Sequence, residues 1–452
     1  MITDRQGEAL SGTNPVAAEL YDQAVEAFNL YRGDPVALID QAIDAAPDCA
    51  MTQIFKAYVF ALATEPEASR QAAALVKELK SGQLAEREQS HVAALEYILK
   101  GNWTRAGLQL DLHNAAHPRD MIGVQAGHLV DFYRANSRNL RDRIARVLPQ
   151  WSTDTPGYAV VLGMHAFGLE ETGDYARAED AGRRAVSLQP LDCWAHHAVA
   201  HVMEMQGRAE EGIDWMVSRE PHWAGDDNIF KVHNWWHRAL CHLELGENEQ
   251  ALALYDQAVW GAPSSIALEL VDASALLWRL HLAGVQVGHR WQAVADNWAI
   301  HVEESDYPFN DWHAAMAFLG AGRDAALQQL LANLRSRCAG NSETARWAGE
   351  VGLPLVEGFV AFWRGSYTLA AERLHPARFI ANAFGGSHAQ RDTIDLTLAE
   401  AALRGGLHSL GRSLANERLA LKPRSLINQR FLARAAREYR PAEQAAAVGL
   451  AG

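Results

Sequence analysis

A glycine-centred turn recurs along this chain, and each time it separates two segments with the periodicity of an amphipathic helix. Segments 173–175 (Gly-Asp-Tyr) and 207–209 (Gly-Arg-Ala) are two examples. Glycine suits the end of a helix because the residue there commonly takes a left-handed backbone conformation. In the central and C-terminal parts the turns recur every ~34 to ~43 residues, close to the ~34-residue period of tetratricopeptide repeats. The turns lie at or near Gly33, Gly101, Gly173, Gly207, Gly246, Gly284, Gly322, Gly365 and Gly405.

This pattern predicts an all-α protein, a right-handed superhelix (α-solenoid) of tetratricopeptide-like helix-turn-helix repeats. We expect about eleven helix pairs and a C-terminal capping helix near residues 424–439, because solenoids need a polar end. Ala, Leu, Glu, Arg and Gln, all good helix formers, are abundant, and no segment alternates as a strand would. We predict one continuous domain over residues 1–452. It comprises degenerate N-terminal repeats (1–117), core repeats with a polar interior (118–404), and a C-terminal repeat half and cap (405–452).

Composition and charge argue against several classes of function. No apolar stretch reaches the ~20 residues of a membrane span, and the N-terminus lacks the layout of a signal peptide. We therefore expect a cytoplasmic protein without a membrane partner. The net charge of −14 disfavours nucleic-acid binding, which needs a positive field. The four cysteines show no CxxC spacing, and the chain has no phosphate-binding glycine loop or serine-hydrolase elbow.

Histidines are concentrated on the first helices of two central repeats. His197, His201 and Glu204 lie at offsets of 0, 4 and 7 residues, which places them on one helical face. In the next repeat, His233 and His237 are again four residues apart. First helices of adjacent repeats are neighbours in a solenoid, with axes about 10 Å apart. We therefore expect the two histidine pairs to converge.

Other polar and aromatic residues accompany these histidines on the predicted inner helices. Asp272 and Arg279 are two turns apart on one helix face, and arginine is a good clamp for a carboxylate. The Gly-Gly-Ser segment 385–387 opens a helix, and we expect this N-terminus to face the interior and to suit an anion. The predicted substrate-binding residues are His128, Tyr133, Trp223, Asn234, Trp236, Arg279, Asp311, His313, Gln390, Arg391 and Asp392.

Taken in order, these segments resemble the tetratricopeptide repeat protein 38 family. The resemblance covers about residues 118–404 and rests on segments 197–204, 233–237, 272–279, 309–313 and 385–392. It implies a closed-up helical-repeat superhelix, and it names no reaction and no substrate. His388 departs from the family pattern, so it is a weaker candidate than Arg391 or Asp392.

Three interpretations of the central histidines stay open at this stage. They can bind a divalent metal such as zinc, with Glu204 as a further candidate ligand. They can instead transfer protons, with one histidine as the general base and Asp272 or Glu204 orienting it. In the third interpretation they are structural and satisfy neighbouring carbonyl groups and tryptophans. The predicted catalytic residues are His197, His201, Glu204, His233, His237 and Asp272.

Two functions remain under consideration. The first is an enzyme, or a tight binder, of a small anionic molecule that carries a carboxylate and undergoes hydrolysis, elimination or isomerisation. Apart from a metal at the four histidines, no cofactor is expected. The alternative is an interaction scaffold that binds a peptide in its concave groove or pairs with a second copy. A closed pocket of a few hundred Å³ favours the first function, and an open channel favours the second.

Overall fold

The computed structural model describes residues 2–303 and 307–438. Apart from two isolated bridges, Thr3–Ala9 and Arg32–Asn228, the regular structure of these residues is entirely helical. Side chains at the residue before the first turn accept hydrogen bonds from backbone N–H groups and so help to begin several helices. These capping residues are Asn14, Asp34, Asp120, Asn136, Asp192, Ser342 and Ser387.

The described residues form eleven antiparallel helix pairs and a final single helix. The first six pairs are α1 (Pro15–Leu30) with α2 (Pro35–Ala45), α3 (Ala50–Ala61) with α4 (Pro66–Leu79), α5 (Glu86–Leu99) with α6 (Trp103–Ala116), α7 (Met121–Tyr133) with α8 (Ser137–Val147), α9 (Tyr158–Glu171) with α10 (Tyr175–Leu188), and α11 (Cys193–Met205) with α12 (Ala209–Ser218). After the short α13 (Glu220–Trp223) come α14 (Lys231–Leu245) with α15 (Asn248–Leu254), α16 (Ala267–Leu282) with α17 (Arg290–Trp298), α18 (Pro308–Gly320) with α19 (Asp324–Arg337), α20 (Glu343–Trp347) and α21 (Leu353–Trp363) with α22 (Tyr367–Arg378), and α23 (His388–Arg404) with α24 (His408–Leu421). The last helix is α25 (Leu426–Glu438).

This architecture confirms the predicted all-α array of tetratricopeptide-like pairs with a C-terminal capping helix. The glycine turns behave as expected. Gly246, for example, ends α14 at φ 79°, where its N–H reaches the carbonyl groups of His242 and Leu243. None of the described helices is long and apolar enough to cross a membrane.

Contacts between distant repeats close the superhelix on itself. Tyr31, at the end of α1, stacks on Trp194 of α11 with ring centroids 5.8 Å apart. The backbone N–H of Ile229 donates to the Tyr31 carbonyl at 2.9 Å. Farther along, the N–H of Thr344 donates to the Gly101 carbonyl at 3.1 Å. The segment around Ile229 therefore joins the first repeat to the centre of the array.

Candidate functional site

Four buried histidines meet where α11 packs against α14. His197 and His201 lie one turn apart on α11, and His233 and His237 lie one turn apart on α14. The His197 ring centroid is 4.3 Å from that of His201 and 4.9 Å from those of His233 and His237. Each residue exposes at most 4% of its surface. The structure thus brings together the two pairs that their spacing predicted to converge.

Carboxylates from neighbouring helices orient the two histidines of α14. Both oxygens of Asp272, on α16, lie 2.9 Å from His233 Nδ1. Glu204, at the end of α11, places Oε2 3.0 Å from His237 Nδ1. An ionised carboxylate only accepts hydrogen bonds, so we assign the proton of each neutral ring to Nδ1 and the lone pair to Nε2. The two Nε2 atoms face each other at 3.2 Å.

The histidines of α11 have almost no polar partners. No hydrogen bond reaches either ring nitrogen of His197 or His201 from the described residues. Glu170 Oε2 lies 3.4 Å from His201 Nδ1. Burial lowers the pKa of His201 to about 4, and it holds the pKa of His197 well below its usual value. Both rings are therefore neutral at physiological pH.

Two buried carboxyl groups, those of Asp272 and Glu170, lie beside these rings. Burial raises the pKa of Asp272 even though His233 opposes the shift. Burial also raises the pKa of Glu170, and repulsion from neighbouring Glu171 adds to the effect. Neither oxygen of Glu170 accepts a hydrogen bond from the described residues. The cluster therefore contains several lone pairs, on Glu170, His197 and His201, that no donor of the described residues satisfies.

A cavity of about 260 Å³ lies beside the histidine cluster, between α11, α14, α16, α23 and α25. Glu204 and Arg279 line this cavity and connect it to the histidine cluster. Glu204 is hydrogen-bonded to His237, and the Arg279 guanidinium lies 5.3 Å from the centroid of Trp236, which stacks on His233. The apolar part of the wall consists mainly of Leu240, Leu243, Leu282, Leu396, Ile427 and Phe431. Its charged residues are Glu204, Glu244, Arg279, Asp392, Glu400, Lys422, Arg430 and Arg434.

Arg279 is a buried cation that no carboxylate of the described residues contacts directly, although Asp392 and Glu204 are near enough to stabilise its charge. Its guanidinium donates to the Thr393 hydroxyl and to the Ala389 carbonyl. Within the described part of the chain, no carboxylate oxygen lies within 4.0 Å of it, and 7% of the residue is exposed. Burial lowers the Arg279 pKa to about 10, which leaves the group charged at neutral pH.

The N-terminus of α23 faces the interior, as the Gly-Gly-Ser segment predicted, but the protein's own groups occupy it. Ser387 and Gln390 form a reciprocal capping box, with bonds of 3.3 and 3.0 Å. The carboxylate of Glu171 accepts a hydrogen bond from the His388 N–H at 2.9 Å and lies 3.7 Å from Arg391. Gln390 and Arg391 therefore serve this junction and do not line the cavity, whereas Asp392 of the next turn does.

Several other predicted ligand-binding residues lie away from the cavity, because they pack between helices. Trp223, a predicted substrate-binding residue, is buried under α12 and donates to the Met216 carbonyl at 3.1 Å. His313 bonds to the carbonyl of its own helix, and Asp311 pairs with Arg337 at 2.8 Å. The remaining members of this group are Tyr133, at a seam of aromatic rings, His128, among Phe167 and Trp194, and the buried Asn234.

The sequence interpretation missed Glu170, Glu171 and Lys422. The two glutamates end α9, whose other residues from Val160 onward are apolar apart from His165. Two acidic residues at the end of an otherwise apolar helix could have indicated buried carboxyl groups near the site. Lys422 lies 3.8 Å from Glu204 across the cavity wall, and nothing in its local sequence indicates this position.

A second histidine cluster, in the N-terminal repeats, has a different character. Asp120 Oδ2 accepts from Arg87 at 2.6 Å, from His91 Nε2 at 2.9 Å and from His113 Nε2 at 3.0 Å. The other ring nitrogen of His91 contacts the Tyr58 hydroxyl. Both Nε2 atoms therefore donate to one carboxylate, as expected of a structural junction.

Comparison with known proteins adds little beyond the type of fold. No protein-family model matches the chain, so the resemblance to the tetratricopeptide repeat protein 38 family stays a prediction. The chain is similar to a crystal structure of the APC/C hetero-tetramer Cut9-Hcn1, with 15% identity and a TM-score of 0.42 over 94% of this chain and 79% of that one. It is also similar to the human IFIT1 dimer with m7Gppp-AAAA, with 14% identity and a TM-score of 0.42 over 93% of this chain and 94% of that one. At these values neither structure bears on the function of this chain.

Proposed function

We propose that this protein is an enzyme, or a tight binder, of a small carboxylate-bearing molecule that occupies the cavity beside the histidine cluster. The observation that carries the proposal is Arg279, a buried guanidinium in the cavity wall that no carboxylate of the described residues contacts directly. A buried charge without a counterion in contact is costly, and an anion in the cavity would offset that cost. The volume of the cavity, about 260 Å³, is of the order of a small-molecule site.

The pairing of the other charged groups in the wall supports an anionic ligand. Asp392 accepts two hydrogen bonds from Arg418, at 2.6 and 3.1 Å. Glu244 accepts from the Ser425 hydroxyl and from a backbone N–H at the start of α25. These acids already have donors, whereas Arg279 offers N–H groups in the geometry that binds a carboxylate in a bidentate manner.

Glu204 is the group to which we assign acid–base work on the bound molecule. It lines the cavity, it is partly exposed, and the Nδ1–H of His237 holds it in place. Cys241 also lines the cavity, but burial raises its pKa far above neutrality, and the neutral thiol is a poor nucleophile. Proton transfer by a carboxylate therefore fits hydrolysis, elimination or isomerisation better than thiol chemistry does.

The test replaces Arg279 with methionine and compares it with Arg238→Met on α14. Arg238 pairs with Glu220 at 2.9 Å and lies outside the cavity wall. We expect calorimetric titration with a panel of small mono- and dicarboxylates to identify a ligand for the native protein and for Arg238→Met. Loss of a bidentate, charge-assisted contact should weaken binding to Arg279→Met by tenfold or more. Equal binding by all three proteins would reject this cavity as the ligand site.

A second candidate function is recognition of a peptide C-terminus in the same cavity. The observation that favours it is the apolar share of the wall, which includes Leu243, Leu396 and Phe431 beside Arg279. This arrangement suits an apolar side chain next to a terminal carboxylate. Fluorescence anisotropy with random peptides that end in Leu or Phe, in free-acid and amidated forms, separates the candidates. Binding of free-acid peptides, without binding of any small carboxylate, would establish the scaffold function.

A further inference from the structure

We propose that His197, His201, His233 and His237 bind one divalent transition-metal ion, of the zinc class, as a closed structural site that joins α11 to α14. The proposal goes beyond the anion site in the cavity and does not depend on it. It rests on the spacing of the ligand atoms, the direction of their lone pairs, and the absence of any hydrogen bond from the described residues to two of the four rings.

The spacing of the nitrogens suits a single ion. One nitrogen from each of the four rings can be chosen so that all four atoms lie within 4.8 Å of one another. A tetrahedral zinc ion at ~2.0–2.1 Å from its ligands separates the ligand nitrogens by ~3.3–3.4 Å. The Nε2 atoms of His233 and His237, 3.2 Å apart, already have nearly this separation. Small rotations of the rings on α11 would complete the tetrahedron.

The protons of the α14 histidines point away from the centre. Asp272 and Glu204 hold Nδ1–H of His233 and His237 from outside, so both Nε2 lone pairs face inward. Two neutral imidazoles in this orientation repel each other unless a proton or a cation lies between them. A carboxylate behind a ligating imidazole is the outer-shell arrangement that fixes the tautomer and raises the basicity of metal-binding histidines.

His197 and His201 add four ring nitrogens that no hydrogen bond from the described residues reaches. Both side chains are essentially inaccessible to solvent. A buried polar atom without a partner costs about 1–3 kcal/mol. Coordination satisfies one nitrogen of each ring. Glu170, 3.4 Å from His201 Nδ1, is placed to accept a hydrogen bond from the other nitrogen of that ring.

Two carboxyl groups behind the rings would also support a bound cation. Asp272 and Glu204 each contact Nδ1 of one α14 histidine, on the side away from the other ring. An all-imidazole shell selects zinc, copper, nickel or cobalt over magnesium and calcium, which prefer oxygen ligands. Four protein ligands leave no open position on a tetrahedral ion, and such closed sites are structural.

The cluster around Asp120 provides an internal comparison. There, His91 and His113 direct Nε2 to one carboxylate oxygen that also accepts from Arg87, so no lone pair is available to a cation from those atoms. The central cluster therefore differs from the Asp120 cluster in the direction of its ring N–H groups and lone pairs, and not only in its number of histidines. This difference makes His113→Gln, which keeps an N–H donor, the matched control.

The experiment measures the metal content of the untagged protein. After removal of metal with a chelator, the apoprotein is titrated with cobalt(II) and zinc, and bound metal is counted by mass spectrometry. We expect about one ion per chain and a visible cobalt spectrum of the tetrahedral type. The double variant His201→Gln/His237→Gln should lose the stoichiometric ion. His113→Gln should retain the ion. Asp272→Asn should lower the affinity for the ion by about 10–100-fold, as loss of an outer-shell partner does.

Absence of stoichiometric cobalt or zinc binding to the native apoprotein, with its helical circular dichroism intact, would overturn the proposal. Equal metal content in the native protein and a folded double variant would do the same. If the double variant does not fold, the tetrahedral cobalt spectrum of the native protein still decides the question. Arg279→Met should keep the metal while losing the small carboxylate, so failure of one proposal does not imply failure of the other.

Discussion

Asp192 offers a quantitative test of how the histidine-bearing helix is held in place. It caps α11, where its Oδ1 accepts the Ala195 N–H at 2.9 Å. Its Oδ2 has no hydrogen-bond partner in the described residues and lies close to the backbone of Gly163 on α9. Burial raises the Asp192 pKa from 3.8 to about 7, although the backbone hydrogen bonds oppose the shift.

The sign of the effect follows from linkage. A carboxyl group whose folded-state pKa is raised binds more protons in the folded state, so stability falls as pH rises through the interval between the two pKa values. With values of 3.8 and about 7, the folded protein should lose roughly 2.5 kcal/mol between pH 5 and pH 8 through Asp192 alone. Asparagine keeps the capping oxygen and cannot ionise. Relative to native protein, Asp192→Asn should therefore gain this amount over the same interval.

Urea unfolding of both proteins at pH 5, 6, 7 and 8 measures the difference directly, because other titrating groups cancel in it. The control is Asp34→Asn, which changes the exposed capping residue of α2. Its stability difference from native protein should not vary with pH by more than about 0.5 kcal/mol. A difference for Asp192→Asn that stays constant across the range would refute the reasoning from burial.

Two further substitutions test the packing of the array and the N-terminal cluster. Gly168→Ala places a Cβ 2.5 Å from the backbone of the facing helix α8, so the free energy of unfolding in urea should fall by about 1–3 kcal/mol. In the control, Gly82→Ala, the added Cβ meets nothing closer than 3.6 Å, and the free energy of unfolding should change little. Asp120→Asn leaves the buried Arg87 without its closest carboxylate and should lower the free energy of unfolding by about 3 kcal/mol. In the control, Asp40→Asn removes one partner of a partly exposed ion pair with a lysine and should lower it by less than about 1 kcal/mol. Equal losses within either pair of variants would contradict these assignments.

The fold was predictable because its signals are local. Helical periodicity, capping side chains and glycine turns each act within a few residues, and tetratricopeptide-like pairs contact mainly their neighbours. The closure of the superhelix, which the family resemblance implied, has no local signal of this kind. The stacking of Tyr31 on Trp194 joins residues far apart in the chain, and neither residue carries a local sign of the other.

The site was partly predictable for the same reason. The spacing of four residues within each histidine pair, together with the adjacency of first helices, was enough to bring the four rings together. Glu170 and Lys422 come from helices whose position depends on the curvature of the whole array. Trp223 lies away from the cavity because α13 turns it under α12, and the sequence alone does not distinguish a ligand-binding tryptophan from this packing position.

The contrast between the outer and inner helices indicates why the interior should hold ligands. On the outer helices, charges are matched at the surface, as where Arg208 meets Glu179 at 2.7 Å, and such pairs contribute about 0–1 kcal/mol. On the inner helices, Glu170 and His197 are buried without hydrogen-bond partners in the described chain, at about 1–3 kcal/mol for each unsatisfied group, and no carboxylate there contacts the buried Arg279 directly. Apolar side chains of similar volume would serve folding at least as well. A ligand at one hundred times its dissociation constant stabilises the folded state by about 2.7 kcal/mol, which is the size of the penalty carried by one such group. The stability of this protein should therefore respond separately to a metal at the histidines and to an anion at Arg279.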